Sequence, residues 1–265
     1  MYRKRLLLLI LPFFLATFVF AQNSNYDLYL LVGQSNMAGR GEVEAQDTVA
    51  FLKVFTLSED NKWVLAKDPI HFDKSAAGVG LGRTFGIEMS KANPDAKIGL
   101  IPCAVGGSSI DAWKPGGYHQ QTKSYPWDDM EKRLKIALKE GELKGILWHQ
   151  GESDSNLEKC YEYEEKLKDL IARLRTLAQN PDVPFVAGEI GKFKIKENQN
   201  RFKPLKPAPA LVVVNATKKV VKEDGNAAFV NSKKLNHRGD NTHFNSASYR
   251  ELGKRYAKAM LKLQK

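Results

Sequence analysis

A single serine, Ser35, stands in the stretch LVGQSNMAGRG (31–41), between an apolar run and a cluster of small residues. A serine hydroxyl becomes a nucleophile only beside a base, and the base needs an orienting group. The stretch GDNTHFNSASY (239–249) supplies both types, Asp240 and His243, within one turn of chain. There the carboxylate can accept from the imidazole Nδ1–H while Nε2 points toward a hydroxyl. Each piece also has a purely structural reading: Ser35 as the cap of a helix starting near Asn36, Asp240 as a helix-entry carboxylate, and His243 as a surface histidine.

Phosphate chemistry fails on spacing. Five residues separate Gly33 from Gly39, and Arg40 is followed by Gly41, whereas a P-loop needs four residues and then Lys with Ser or Thr. A dinucleotide-binding glycine pattern is absent from this stretch, and Met37 occupies the second glycine position of a G-x-S-x-G elbow. His71 and His119 lie in expected loops without a convincing partner, and His149 is out of phase with Gln150 on its strand. His237 is the rival base, and with His243 it makes at most a metal pair lacking the third ligand a metal site needs. No metal is expected.

A tetrahedral intermediate also requires hydrogen-bond donors aimed at its oxyanion. Gly106 and Gly107, in CAVGGSSIDAW (103–113), would expose backbone N–H groups at a helix start. Gln150, in WHQGES (148–153), offers a neutral amide at a neighbouring strand end. The structural alternatives are a tight turn and a polar strand cap.

The elements needed to position these groups are legible as apolar runs alternating with amphipathic stretches. Strands are expected at 26–33, 97–103, 145–151, 184–190 and 209–215, and helices at 80–93, 127–140, 156–179 and 245–264, the last capped by Ser246 or Ser248. Residues 49–69 read as an inserted hairpin and 192–209 as a polar, Pro-containing loop. This order predicts an α/β fold: a three-layer α/β/α sandwich with a mainly parallel, about five-stranded flavodoxin-like sheet. Ligands of such sheets gather at the carboxyl ends of the strands, where Ser35, Gly106, Gly107 and Gln150 fall.

The basic start MYRKR, the apolar run 6–20 and the small residues before Gln22 read as a secretory signal peptide over 1–21. A single domain over 22–265 follows, secreted or periplasmic, with no membrane association after cleavage. Cleavage removes Arg3, Lys4 and Arg5, so the formal charge of +11 falls to about +8. That excess suits a lysine-rich solvated exterior or an anionic glycan. A nucleic-acid partner is not expected, because no binding module is present. Cys103 and Cys160 are the only cysteines; the compartment permits a disulfide, but spacing does not establish its geometry.

Taken together, GQSNMAGRG, PCAVGGSSIDAW, WHQGESDS and the final D-x-x-H-F-N resemble the SGNH (GDSL-like) hydrolase superfamily. The nearest branch is that of the carbohydrate acetyl esterases that include sialate O-acetylesterase-like proteins, and the likeness spans nearly the whole mature chain. The resemblance implies a cofactor-free serine esterase with an acetylated poly- or oligosaccharide as substrate. It casts Ser35 as nucleophile, His243 as base and Asp240 as its orienter, with the Ser35 N–H, the Gly107 N–H and the Gln150 amide as the oxyanion hole. Gly106 is the alternative donor, and Gln150 stands where many members have asparagine. Trp113 could stack on a sugar ring or fill the core. Glu152 and Asp154 could fix the HQGE loop, with Glu152 also near substrate, and Glu189 reads as a strand-end structural carboxylate. Arg40 and Arg83 read as solvated, or as partners of a substrate carboxylate. Acetylated xylan and O-acetyl sialic acid are the substrate alternatives; a lipid or aryl esterase, or an inactive glycan-binding scaffold, are the rival functions.

Overall fold

In the computed structural model, which describes residues 26–265, β1 (Tyr26–Gly33) feeds two cores with alternate side chains. Leu28, Leu30 and Val32 enter one, and Tyr29 and Leu31 the other, as the two-residue period of a strand requires. Along the chain follow α1 (Ser35–Ala38), β2 (Val54–Leu57), β3 (Trp63–Leu65), α2 (Gly82–Ala92), β4 (Ile98–Pro102), α3 (Pro126–Ala137) and β5 (Gly141–His149). Then come α4 (Tyr163–Leu177), β6 (Phe185–Gly188), α5 (Lys192–Arg201), α6 (Pro209–Glu223), β7 (Ala227–Val230) and α7 (Ser246–Leu263).

The seven strands form one sheet in the order β3-β2-β4-β1-β5-β6-β7, parallel throughout except for β3. Five consecutive strands, β4-β1-β5-β6-β7, follow the flavodoxin-like order 2-1-3-4-5. The expected hairpin at 49–69 is present as β2 and β3, and it extends the sheet beyond β4 instead of standing apart. Apolar residues of α3, α4 and α6 cover one face, and those of α2 and α7 the other, giving the expected three layers. The proposed signal segment 1–21 lies outside the described residues.

Three expectations are corrected. The run 209–215 is not a strand but the first half of α6. Its β-branched residues look strand-like locally, yet Ala210, Val213, Val214, Thr217, Val220 and Val221 are buried at helical spacing, and Pro209 at the first turn needs no N–H partner. The last strand is the short AAFV of β7, which lacks a long apolar run. The segment 192–209 holds a helix, α5, over its first half. Finally, α7 is capped by Asn245, whose side chain accepts from the Ser248 N–H at 2.9 Å; neither Ser246 nor Ser248 is the cap.

Candidate active site

The close of β1 sets the serine. Gly33 has φ +135°, and a Cβ there would lie 2.2 Å from the His149 carbonyl oxygen, so only glycine lets β1 run this close to β5 at the turn. The chain then enters α1, with Ser35 as its first residue and Met37 and Ala38 fully buried beneath it. Ser35 does not cap this helix. Its N–H belongs to the first turn, where no intrahelical acceptor exists, and no acceptor for it is found among the described residues.

The loop before α7 brings the base. His243 Nε2 lies 3.0 Å from Ser35 Oγ, and His243 Nδ1 lies 2.7 Å from Asp240 Oδ2. The other carboxylate oxygen of Asp240 accepts from the Thr242 and His243 backbone N–H groups at 2.9 and 2.8 Å. Burial alone would raise the Asp240 pKa, but these donors and the His243 ring bring it down to about 2. The loop is bracketed by an antiparallel bridge between His237 and Phe244 and by the Arg238 N–H donating to the His243 carbonyl at 2.9 Å. His237 is occupied in shaping this turn, its Nδ1 accepting from Gly239 N–H at 3.0 Å and Asn241 N–H at 3.3 Å.

A side chain that sequence reasoning passed over joins the two halves. Asn36 has no solvent exposure and uses its whole hydrogen-bonding capacity. Its Nδ2 donates to Glu152 Oε1 at 2.6 Å and to the Thr242 carbonyl at 3.0 Å. Its Oδ1 accepts from the Phe244 N–H at 3.3 Å and the Tyr249 hydroxyl at 2.7 Å. The residues on either side of His243 are thereby tied to the residue after Ser35. Glu152 serves this clamp from the HQGE stretch. Burial raises its pKa, and its second oxygen has no partner among the described residues.

Beyond β4 the glycine pair forms a turn. Gly107 has φ +89°, and a Cβ there would stand 2.6 Å from Gln121 Oε1. No acceptor for its N–H is found among the described residues, while its carbonyl accepts from Ser153 Oγ at 2.9 Å. Gly106 is not a free donor. Its N–H is given to Asp73 Oδ2 at 2.7 Å, and the same oxygen pairs with Arg40 at 2.6 Å. Asp73, unremarked in the sequence, therefore anchors the turn. Arg40 is 5% exposed and Arg83 is 7% exposed, with Arg83 bonded to the Val49 carbonyl, so the expectation of solvated arginines is corrected for both.

Gln150 is placed differently from expectation, and Trp113 takes the core alternative. The Gln150 amide does not present a spare hydrogen. Its nitrogen faces Asp154 Oδ2, with Gln34 Oε1 and the Ser108 carbonyl each at 3.1 Å, and its oxygen accepts from Tyr163 OH at 2.8 Å. Two N–H bonds cannot serve three protein acceptors and an oxyanion as well. Gln150 instead buttresses the turn, along with Asp154, which also accepts from Ile110 N–H at 3.1 Å and whose pKa burial raises to about 6. Trp113 is wholly buried, donates from Nε1 to Ser108 Oγ at 3.0 Å and packs edge-on against Trp148, so it cannot stack on a sugar. Glu189, at the end of β6, accepts from the Ser232 N–H and hydroxyl and pairs with Lys192, a structural position.

His149 is a core residue, with Nδ1 3.0 Å from the Tyr256 hydroxyl, and burial depresses its pKa to about 3. Cys103 and Cys160 are both free and buried, and burial pushes the Cys103 thiol up to about 11. Among the described residues no three His, Cys, Asp or Glu side chains converge as a metal site, and no helix is long and apolar enough to cross a membrane.

Comparison with known proteins bears on the family and the fold. Residues 25–262 match the family model described as carbohydrate esterase, sialic acid-specific acetylesterase. A probable carbohydrate esterase of Arabidopsis thaliana, At4g34215, is 28% identical over 88% of this chain and 90% of its own length. The crystal structure of that plant protein superposes with a TM-score of 0.76, covering 90% of this chain and 98% of the plant chain. NanS superposes at a TM-score of 0.72 with 17% identity, covering 91% of this chain and 98% of NanS. XAC1771, a carbohydrate acetylesterase from Xanthomonas citri, superposes at 0.70 with 18% identity, covering 89% of this chain and 56% of its own. These last two likenesses speak for the fold.

Proposed function

We propose a mechanism from the premise that this chain belongs to the carbohydrate esterase family of sialic acid-specific acetylesterases, and is thus a carboxylic ester hydrolase: it removes O-acetyl groups from glycans through an acetyl-serine intermediate. The observation that carries this reading is the unbroken line from Ser35 Oγ to His243 Nε2 at 3.0 Å and from His243 Nδ1 to Asp240 at 2.7 Å.

Ser35 Oγ attacks the acetyl carbonyl carbon while His243 Nε2 takes its proton. Asp240, charged and held by two backbone N–H groups, keeps the Nδ1 proton in place and offsets the imidazolium charge. The N–H groups of Ser35 and Gly107, two donors without an acceptor among the described residues, are the ones that receive the developing oxyanion in this reading. Collapse expels the sugar hydroxyl, which receives the proton from His243. Water then attacks the acetyl-serine by the reverse roles and releases acetate. The basic leader at 1–21 supports an extracytoplasmic setting, where acetylated glycans are met.

Acetate release from acetylated glycans, with an aryl acetate as a general ester, tests the reading. Ser35→Ala should lower kcat by on the order of 10³ or more on every ester. Retention of wild-type turnover by that variant would remove Ser35 from the reaction, and glycan affinity without turnover by the unaltered protein would make the fold a binder.

A further inference from the structure

The lysines of α3 and α4 are paired within their own helices: Lys132 with Asp129, Lys135 with Glu131, Lys166 with Glu162 and Lys168 with Glu164. The outer face of α7 is different. From Leu252 to Lys265 the sequence holds five cations, Lys254, Arg255, Lys258, Lys262 and Lys265, and no acidic side chain. Arg255 is held by Glu251 at 2.9 Å and by the Asn231 and Lys233 carbonyls. Lys254, Lys258 and Lys262 are exposed and have no ion pair or hydrogen bond among the described residues. Spaced four apart, they fall within about 80° of the helix circumference over about 12 Å. Like charges at that spacing repel. The helix dipole favours a cation in the last turn, which accounts for Lys262. Lys254 and Lys258 lie before that turn and gain nothing from it.

These three lysines form a ridge between two open grooves and line both. One groove, of about 620 Å³, lies between α7 and α2, with Ala92, Ala257 and Leu261 as its apolar lining. The other, of about 450 Å³, lies between α7 and the edge strand β7, with Phe229, Val230 and Ala259. The acids along them are Glu88 and Glu251, each already paired with a neighbouring cation, Lys91 and Arg255. None of the exposed large apolar residues belongs to α2, β7 or α7. This face therefore offers nothing to enter a bilayer and no exposed ring to stack on a base. It also lies away from the reaction. Just past Lys262, Gln264 donates to the Lys144 carbonyl at 2.8 Å, in the first half of β5, whereas Ser35 and Gly107 follow the carboxyl ends of β1 and β4.

We propose that the α7 ridge is a second, non-catalytic binding surface for a linear acidic polysaccharide, whose carboxylates meet Lys254, Lys258 and Lys262 while the C–H faces of its sugars lie on the apolar groove linings. Such a polymer repeats its carboxylates along one strand, so weak contacts with successive lysines add up in a way that a single small anion does not use. The attraction holds the enzyme on a polyanionic matrix and leaves the catalytic end of the sheet open. The choice of a polysaccharide as the polyanion rests on the glycan acetylesterase reading above.

The test measures binding of the whole protein to unacetylated polygalacturonate over a range of salt, beside neutral xylan, phosphatidylglycerol vesicles and a short DNA duplex. The wild type should bind polygalacturonate most tightly and more weakly as salt rises. The ridge variant Lys254→Gln/Lys258→Gln/Lys262→Gln should lose at least about tenfold in affinity and much of the salt dependence. Lys132→Gln/Lys135→Gln/Lys168→Gln, with the same net charge but its changes on α3 and α4, should keep the wild-type affinity. Turnover of an aryl acetate should be the same in all three proteins. An equal loss in the two variants would mean that net charge, not the ridge, does the binding, and would overturn the proposal. Tighter wild-type binding to the vesicles or the duplex than to polygalacturonate would overturn it too, as would a ridge variant that binds like the wild type. Absence of wild-type turnover on every acetyl ester is the separate failure, that of the acetylesterase reading itself.

Discussion

Two aspartates flank the site and have opposite electrostatic fates. Asp240 sits in the 236–245 loop with 41% of its side chain exposed and its pKa brought down to about 2. Asp154 sits in the turn after β5 with no exposure and its pKa raised to about 6. Both accept a backbone N–H and a side-chain donor. The difference is solvent and donor count: water and two backbone N–H groups hold the Asp240 charge, while burial taxes that of Asp154 more than its neutral donors return. A carboxylate that must offset an imidazolium is built near the surface, and one that must hold a turn is buried.

The largest effect should come from removing the base. His243→Ala should lower kcat by on the order of 10³ or more, whereas His237→Ala, which disturbs only the turn, should keep most of it; the reverse ranking would mean that the wrong histidine has been assigned. Next comes Asp240→Asn. The Asn amide would donate to His243 Nδ1 and force the proton onto Nε2, where it cannot accept from Ser35. A fall in kcat of about 10²–10⁴ with little change in KM is expected; a loss under tenfold would show that Asp240 does not set the tautomer.

Asn36→Asp should fall between the two regions, because Asn36 touches both. The aspartate keeps the acceptor for Phe244 and Tyr249 but loses both donated bonds and places a carboxylate opposite Glu152. We expect kcat to drop by about tenfold, a hydrogen bond's worth, increasingly so as pH rises and Glu152 ionises. Adding Glu152→Gln should recover part of the loss by restoring a donor across the gap. No recovery in the double variant would show that the Asn36–Glu152 bond does not position the base.

The smallest catalytic effect belongs to Asp154→Asn, and its main readout is stability against pH. A carboxyl whose folded pKa lies above its unfolded value binds more protons when folded. Its charging therefore costs stability as pH rises from about 4 to about 6. Asparagine has no such cost, so the variant's Tm should gain on the wild type across that interval. A constant offset between the two curves would contradict the raised pKa.

Most of the site was legible because its parts sit in short stretches with chemical logic. Residue type, spacing and the rule that strand carboxyl ends gather ligands brought out Ser35, Asp240, His243 and the Gly106–Gly107 pair, and the resemblance to the SGNH superfamily gave their roles and singled out Gly107. Asn36 lay inside the same motif and gave no signal, since its value depends on Thr242, Phe244, Tyr249 and Glu152, all more than a hundred residues away. Asp73 was silent for the same reason. Gln150 misled because an amide at a strand end is equally suited to an oxyanion or a carboxylate. In the fold, the β-branched run at 209–215 read as a strand; burial of one helical face decided otherwise.

The sequence by itself determined β1, β4, β5 and β6 through their apolar runs, the turns through glycine, and the pair Asp240–His243, because these follow from local geometry over a few residues. Only the tertiary structure decided which hydrogen bonds each polar group makes, that Trp113 is core, that Arg40 is consumed by Asp73, and that two grooves flank the lysines of α7. Hydrogen-bond partners and grooves are properties of segments brought together by crossovers. A buried donor serves the nearest acceptors that the packing supplies, and packing is set by the whole chain.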